Sequence, residues 1–122
     1  MNKGTRVAFG KTLGDVIAQF DSVANKITVN ERCKSASLAV LAAHLAHEGT
    51  HVQWDEPNSI DQEYHAFKAE AAVWEELKGD ENNWQCEMIS WVISRGEREA
   101  KKQIRRAYPE LPEYWRQRGE GI

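Results

Sequence analysis

Two histidines and a glutamate near the middle of the chain have a spacing that can bind and activate a metal ion. In the segment His47-Glu48-Gly49-Thr50-His51 the histidines are four residues apart, so on an α-helix both imidazoles lie on one face. Two such imidazoles can coordinate one zinc ion at roughly 2.0–2.1 Å. Glu48 lies about 100° around the helix from His47, where its carboxylate can reach a metal-bound water. The spacing predicts His47 and His51 as metal ligands and Glu48 as the catalytic base.

The residues around this motif predict that it lies on a buried helix. Leu38, Leu41, Leu45 and Val52 recur at helical spacing in an alanine-rich segment, and Ser35 or Ser37 can cap the start of the helix. The alternative is that two core histidines fall four residues apart by chance.

A zinc ion with two protein ligands is incomplete, because catalytic sites have three protein ligands and a water. Glu63 and Glu70 are seven residues apart on the next predicted helix and share an apolar face with Ala66, Phe67 and Trp74. A buried carboxylate without a partner is costly, so an acidic residue on such a face requires an explanation, and a ligand role would provide one. The residues alone leave both glutamates open, including the alternative that both lie at the edge of the face in solvent.

The rest of the chain predicts strands first and helices afterwards. Strands are predicted at 7–9, 15–21 and 26–30, and helices after the motif at 60–78 and 84–93, followed by a charged helix capped near Ser94 and ending at Tyr108. Ser59 and Gln62 form a predicted capping box at the start of the first of these helices. The predicted fold class is α+β, a small antiparallel sheet of about three strands followed by the active-site helix and three further helices.

Length and composition predict one cytoplasmic domain spanning residues 1–122. The chain is 41% hydrophobic and 29% charged with a net charge of −3, which gives no reason to expect a nucleic-acid partner. No apolar run has the length of a signal peptide core or a membrane helix. Cys33 and Cys86 lack a C-x-x-C partner and are expected to be free thiols.

The motif followed by a glutamate on a later helix resembles the gluzincin zinc metallopeptidases, with the best fit to their minimal single-domain, minigluzincin-like members. Related membrane-bound zinc endopeptidases carry the third ligand in a Glu-Tyr-x-Ala-Asp stretch, and this chain is similar in Glu63-Tyr64-His65-Ala66-Phe67. The resemblance covers roughly residues 26–75 and favours Glu63 over Glu70 as the ligand. The chain departs from the pattern at Phe67, where those relatives have aspartate.

The resemblance implies a peptidase that binds one zinc ion per chain through His47, His51 and Glu63. Glu48 would take a proton from the metal-bound water, and the resulting hydroxide would attack a peptide carbonyl. A substrate peptide or protein would pair with the strand before the active helix, at residues 27–30. The candidates for a second oxyanion donor are His44, His65, Tyr108 and Tyr114.

A second function, from another class, is a zinc-containing binding or regulatory module with little or no turnover. The shortness of the chain favours it, whereas the retained Glu48 argues against it, because a structural site closes its fourth position with protein.

Two other features of the sequence are expected to serve the fold rather than a function. The five tryptophans are expected in the core, and the charged run 97–106 is expected to be a solvated helix face.

Overall fold

The chain forms a three-stranded sheet that is followed by four helices. A computed structural model describes residues 4–13, 18–31, 37–54 and 56–114. Its elements, in chain order, are β1 (Arg6–Gly10), β2 (Ala18–Asp21), β3 (Lys26–Asn30), α1 (Leu38–Gln53), α2 (Ile60–Leu77), α3 (Trp84–Ser94) and α4 (Glu97–Ala107). The predicted α+β class and the order of the elements are confirmed. Residues 15–17 of the predicted second strand lie outside the described residues.

The sheet is mixed rather than wholly antiparallel. Its strand order is β1-β3-β2, with β2 antiparallel and β1 parallel to β3. A tight turn joins β2 to β3: the Asp21 carboxylate accepts hydrogen bonds from the backbone N–H groups of Val23 and Ala24, and Asn25 has a φ of 51°. Asparagine and aspartate tolerate such turns well, which explains why this hairpin forms locally.

One face of the sheet packs against α1 and so positions the motif beside the sheet. Ile27 and Val29 of β3 form a buried cluster with Ala18 and with Val52, which follows the motif directly. The buried stripe of α1 consists of Ala39, Val40, Ala43, His47 and Val52. Leu38 is 78% exposed, so it is not part of the predicted apolar face.

The closest helix packing is between α1 and α2, which carry the candidate site. Ala43 and Ala66 are completely buried, and small side chains at such positions let two helix backbones approach closely. Ser37 caps α1 by accepting a hydrogen bond from the Val40 N–H, and Ser59 caps α2 through the N–H of Gln62. Both helices therefore begin at residues that the sequence indicated.

The second half of the chain differs from prediction in two details. The residue before α4 is Gly96, with a φ of 101°, and no side chain caps this helix, whereas Ser94 ends α3. Glycine suits that left-handed backbone because it lacks a Cβ. Tryptophans are also less buried than predicted: Trp74 is fully buried, but Trp84 and Trp91 are 73% and 60% exposed.

The charged helix α4 has the solvated face that its sequence predicts. Only Ala100 and Ile104 of this helix are buried, and they pack on Ile60 and Tyr64 of α2. Lys101 Nζ lies 2.9 Å from the Asp61 carboxylate, which ties α4 to the first turn of α2. Within the described ranges, no helix has the combination of length and apolar character that crossing a membrane requires.

Candidate metal centre

Three donor atoms from α1 and α2 meet at one point near the sheet. His47 Nε2 lies 3.3 Å from His51 Nε2 and 3.1 Å from Glu63 Oε1, and His51 Nε2 lies 3.2 Å from the same oxygen. All three side chains are largely buried, and their donor atoms could hold a metal ion. The residues that the sequence singled out from the motif and from the Glu63 segment are thus brought together.

The separations of these donors fit a small tetrahedral ion. Bonds of about 2.0–2.1 Å in tetrahedral geometry place neighbouring ligand atoms about 3.3–3.4 Å apart, close to the three distances seen. Larger ions such as calcium take six to eight oxygen ligands at about 2.3–2.6 Å, which this set of two nitrogens and one oxygen does not offer. The donor set therefore fits a transition-metal ion.

Helix geometry explains how the three side chains converge. His47 and His51 are one turn apart on α1, and Glu63 is in the first turn of α2. The loop that joins the helices is short, so the first turn of α2 lies beside the last turns of α1. Because Ser59 is the N-cap of α2, Glu63 lies in the first turn of this helix, beside both histidines.

Gln62 orients His51 and sets which of its nitrogens faces the candidate centre. The Gln62 side-chain amide donates to the carbonyls of Glu56 and Pro57, at 3.2 and 3.1 Å, so its oxygen faces His51 Nδ1 at 2.6 Å. That oxygen can only accept, so Nδ1 carries a hydrogen, and in the neutral imidazole the lone pair is on Nε2, the nitrogen nearest Glu63 and His47. Gln62 was expected to complete a capping box, but its side chain supports a candidate ligand instead.

Asn58 supports the carboxylate ligand in the same way. Its Nδ2 donates to Glu63 Oε2 at 2.8 Å, which leaves Oε1 directed at the two histidines. Sequence reasoning missed both Asn58 and Gln62. The single available signal was their position next to Ser59 and Glu63, which does not distinguish a supporting role from ordinary helix capping.

Glu70 supports His47 from the side opposite the metal centre. Its Oε1 lies 2.9 Å from His47 Nδ1, although the contact is not aligned as a hydrogen bond. A carboxylate on the second ring nitrogen is the usual partner of a metal-binding histidine. Glu70 thus lies against the ring nitrogen of His47 opposite the one that faces Glu63. Phe67, where the resembling family has aspartate, packs its ring edge-on against His47, with ring centroids 4.5 Å apart.

The charges of the metal-free cluster are those of an ion pair. Burial lowers the pKa of His47, but its close contacts with the Glu63 and Glu70 carboxylates outweigh it and raise the pKa to about 10. Burial raises the pKa of Glu63, yet its contacts with His47 and His51 hold that pKa far below its ordinary value. The cluster therefore stabilises positive charge, and a bound divalent cation would take the place of the proton on His47.

Glu48 borders the cluster without joining it. Its Oε2 lies 3.8 Å from His47 Nε2, farther than any separation within the triad. Burial raises the pKa of Glu48, while the two motif histidines oppose the rise. Glu48 lines a cavity of about 810 Å³ together with all three candidate ligands, so its carboxylate faces the same space as their donor atoms.

Among the four candidate oxyanion donors, Tyr108 alone lines this cavity. It follows α4 directly, and burial together with Glu63 and Glu48 raises the pKa of its hydroxyl to about 12, so the hydroxyl keeps its proton. His65 instead contacts Trp54 and Asp61, and Tyr114 is exposed. His44 lines a smaller neighbouring cavity.

The strand beside the cavity is β2, not the segment 27–30 that was expected to receive a peptide. β3 pairs on both sides, with β1 and with β2, so it has no free edge. Among the described strands, β2 pairs with β3 alone, and its residues Ala18, Gln19 and Phe20 line the cavity. The expectation was wrong because it assumed that the strand nearest in sequence to the helix is also the edge strand.

Gln62→Leu is expected to weaken metal binding by roughly 10- to 100-fold, the range for supports of metal ligands. Leucine has a similar volume but cannot hold His51 Nδ1, so the imidazole loses its fixed orientation. Affinity measured by competition with a chelator checks this. Gln53→Leu, at an exposed position of α1, is the control and should bind metal normally. Equal affinities of the two variants would contradict the support role.

The case for this centre comes from the chain's own geometry. Two separate segments, the motif on α1 and the glutamate on α2, supply the donors, and Asn58 of the loop and Gln62 of α2 orient them. Comparison of the chain with protein-family models, curated proteins and solved structures finds no significant match.

Proposed function

We propose that this protein is a zinc-dependent peptidase, with one zinc ion bound by His47, His51 and Glu63 and with Glu48 as the general base. The observation that carries the proposal is the triangle of donor atoms, 3.1–3.3 Å on each side, beside a non-ligand carboxylate in one cavity. The similarity of the motif and of the Glu63 segment to gluzincins supports the same assignment.

Zinc is the metal that best suits this donor set. Imidazole and carboxylate ligands with tetrahedral spacing favour zinc, whereas magnesium and calcium favour all-oxygen sites of higher coordination. When bound, zinc lowers the pKa of a coordinated water and polarises a carbonyl oxygen. One zinc ion per chain is therefore the proposed cofactor.

The chain's own residues supply the remaining chemistry. The Glu48 carboxylate would accept the proton of the attacking water and later transfer it to the leaving amine. Glu70 and Gln62 would keep the two imidazoles fixed through their Nδ1 atoms during these steps. The Tyr108 hydroxyl, which is protonated and lines the cavity, would donate to the oxyanion that forms at the carbonyl.

The cavity favours catalysis over a zinc-containing binding or regulatory module. A structural zinc site has four protein ligands, but the triad has three, and its donors border an open space of about 810 Å³. An extended peptide could lie in that space along the free edge of β2. Glu48 faces this space and has no role in a closed structural site.

Tyr108→Phe is expected to lower kcat by about 10²–10³, with KM changed little, because one preorganised donor to the oxyanion is lost. Removal of the hydroxyl leaves the ring and its packing in place. Kinetics on any cleaved peptide would measure the effect. Tyr114→Phe, at an exposed tyrosine that does not border the cavity, is the matched control. Equal losses in both variants would remove Tyr108 from the mechanism.

Cleavage of a peptide library by the purified chain tests the function. The proposal predicts cleavage that stops when a chelator removes the metal and returns when one equivalent of zinc is added. Zinc binding without cleavage of any peptide would favour the binding module. Cleavage that survives complete metal removal would contradict the zinc mechanism.

A further inference from the structure

A second group of metal-binding side chains lies behind the first centre, where three helices meet. His44 of α1, Glu70 of α2 and Cys86 of α3 each offer one donor atom, and these atoms lie within 4.8 Å of one another. None of the three donates an atom to the His47–His51–Glu63 triad. The proposed peptidase mechanism gives His44 and Cys86 no role.

The polar atoms of this group lack the partners that buried atoms normally have. Glu70 is 2% exposed and Cys86 is 1% exposed. Glu70 Oε2 and His44 Nε2 are buried without a hydrogen-bond partner among the described residues, and the nearest approach of the two side chains is 3.6 Å, from His44 Nδ1 to Oε2. Buried polar atoms are nearly always satisfied, so two orphans in one cluster indicate a missing partner.

The two oxygens of Glu70 have separate surroundings, which allows the two groups to act independently. Oε1 lies against His47 Nδ1, on the side of the first centre, whereas Oε2 points toward His44. The carboxylate can therefore support His47 with one oxygen and bind an ion with the other. His47 Nε2, the candidate ligand atom of the first centre, is not involved.

A small cavity gives access to this group from outside. It has a volume of about 250 Å³ and is lined by His44 and Glu70, with Gln85 and Met88 of α3 at its border. The cavity therefore opens on two of the three donors, and His47, Glu48 and Tyr108 line both it and the larger cavity. The remaining space could hold a water as an additional ligand.

We propose that His44, Glu70 and Cys86 form a second binding site for one thiophilic divalent metal ion, distinct from the His47–His51–Glu63 centre. Imidazole, carboxylate and thiolate together suit zinc, cobalt or cadmium rather than magnesium or calcium. The ion supplies the partner that Glu70 Oε2 lacks.

The proton balance of the site is simple. Burial, with a contribution from the Glu70 carboxylate, raises the pKa of the Cys86 thiol to about 11, so without metal the sulfur carries its proton at neutral pH. Binding forms a bond from Sγ to the ion and releases that proton to solvent. No oxidant or reductant takes part.

The alternative is that Cys86 is an ordinary core residue, since it packs with Ala39, Val40, Ala43 and Trp74. Cobalt separates the two explanations, because a cobalt–thiolate bond gives a near-ultraviolet charge-transfer absorption that nitrogen and oxygen ligands do not give. The metal-free full chain, kept reduced with a phosphine, is titrated with Co²⁺ and monitored by absorption and by metal analysis after desalting. We expect two equivalents bound, with thiolate absorption that accompanies one of them.

Four variants locate the second equivalent. Cys86→Ser and His44→Gln should each bind one equivalent without thiolate absorption, and His44→Gln serves if Cys86→Ser fails to fold by circular dichroism. Cys33→Ser is the matched control for the other cysteine and should retain both equivalents and the absorption. His51→Ala should lose the first centre but keep the thiolate absorption, so failure of the proposed peptidase site and failure of this second site are distinguishable.

Absence of thiolate absorption in the folded wild-type chain would overturn the proposal. Absorption that survives in both Cys86→Ser and His44→Gln would overturn it equally. Loss of the absorption in Cys33→Ser would show that Cys33, not Cys86, supplies the thiolate, and this would also refute the site.

Discussion

Glu48→Gln is expected to abolish peptide hydrolysis while leaving zinc bound. The Glu48 carboxylate is 3.8 Å from His47 Nε2, outside the triangle of donors, so its replacement should not remove a ligand. Glutamine keeps the shape of the side chain but cannot accept a proton from the attacking water. General bases contribute about 10²–10⁴ in rate, and we expect kcat/KM to fall by about 10³ or more.

The measurement combines zinc content after desalting with kinetics on the same preparation. Glu56→Gln is the matched control, since Glu56 also lines the cavity but its Oε1 accepts a hydrogen bond from Trp54 Nε1, an interaction that glutamine can preserve. A Glu48→Gln protein that has lost its zinc would make Glu48 a ligand. One that retains wild-type activity would remove it from the mechanism.

His51→Ala and Glu63→Ala are expected to weaken zinc binding by more than the roughly 10- to 100-fold that accompanies loss of a supporting residue. Each removes one of three donors whose separations fit tetrahedral zinc. Glu70→Ala should weaken zinc binding by no more than this 10- to 100-fold range, because Glu70 contacts His47 Nδ1 and lies about 10.5 Å along the helix from Glu63. The comparison therefore separates ligand from support.

Chelator competition on the three variants gives the affinities. The experiment is sharpest in the Cys86→Ser background, where an ion at the proposed second site cannot add to the signal. Circular dichroism controls for folding, since all three side chains are largely buried. A larger loss at Glu70 than at Glu63 would reverse the assignment of the third ligand and leave the two histidines in place.

Most of the candidate centre was predictable because helix periodicity is a local property. The spacing of His47 and His51 and the presence of a glutamate on an apolar helix face needed no knowledge of the fold. The choice of Glu63 over Glu70 rested on a resemblance. In the structure Glu63 lies against both Nε2 atoms, while Glu70 lies against the opposite nitrogen of His47.

The polar support of the centre could not be predicted in the same way. Gln62 has the position of a capping-box residue, and its side chain turns to His51 only because the loop carbonyls of Glu56 and Pro57 take its amide hydrogens. Local rules often fail where a residue serves a site, because the partner is distant in sequence. The same reason hides the group of His44, Glu70 and Cys86, whose members come from three helices.

The sequence pattern predicts the strand pairing of the sheet only in part. Turn chemistry between β2 and β3 predicts their antiparallel pairing, which is local. The parallel pairing of β1 with β3 joins segments that are not consecutive, and alternation of side chains does not encode the partner of a strand. The substrate edge that the resemblance implied at residues 27–30 is therefore in the central strand, and β2 is the strand beside the cavity.

Anomalous diffraction at the zinc absorption edge, from crystals of the chain as purified, would locate the metal. We expect a zinc peak within about 2.0–2.1 Å of His47 Nε2, His51 Nε2 and Glu63 Oε1, with a water at the fourth position within reach of Glu48. No zinc at this position, or a fourth ligand from the protein that closes the site, would contradict the proposed zinc site.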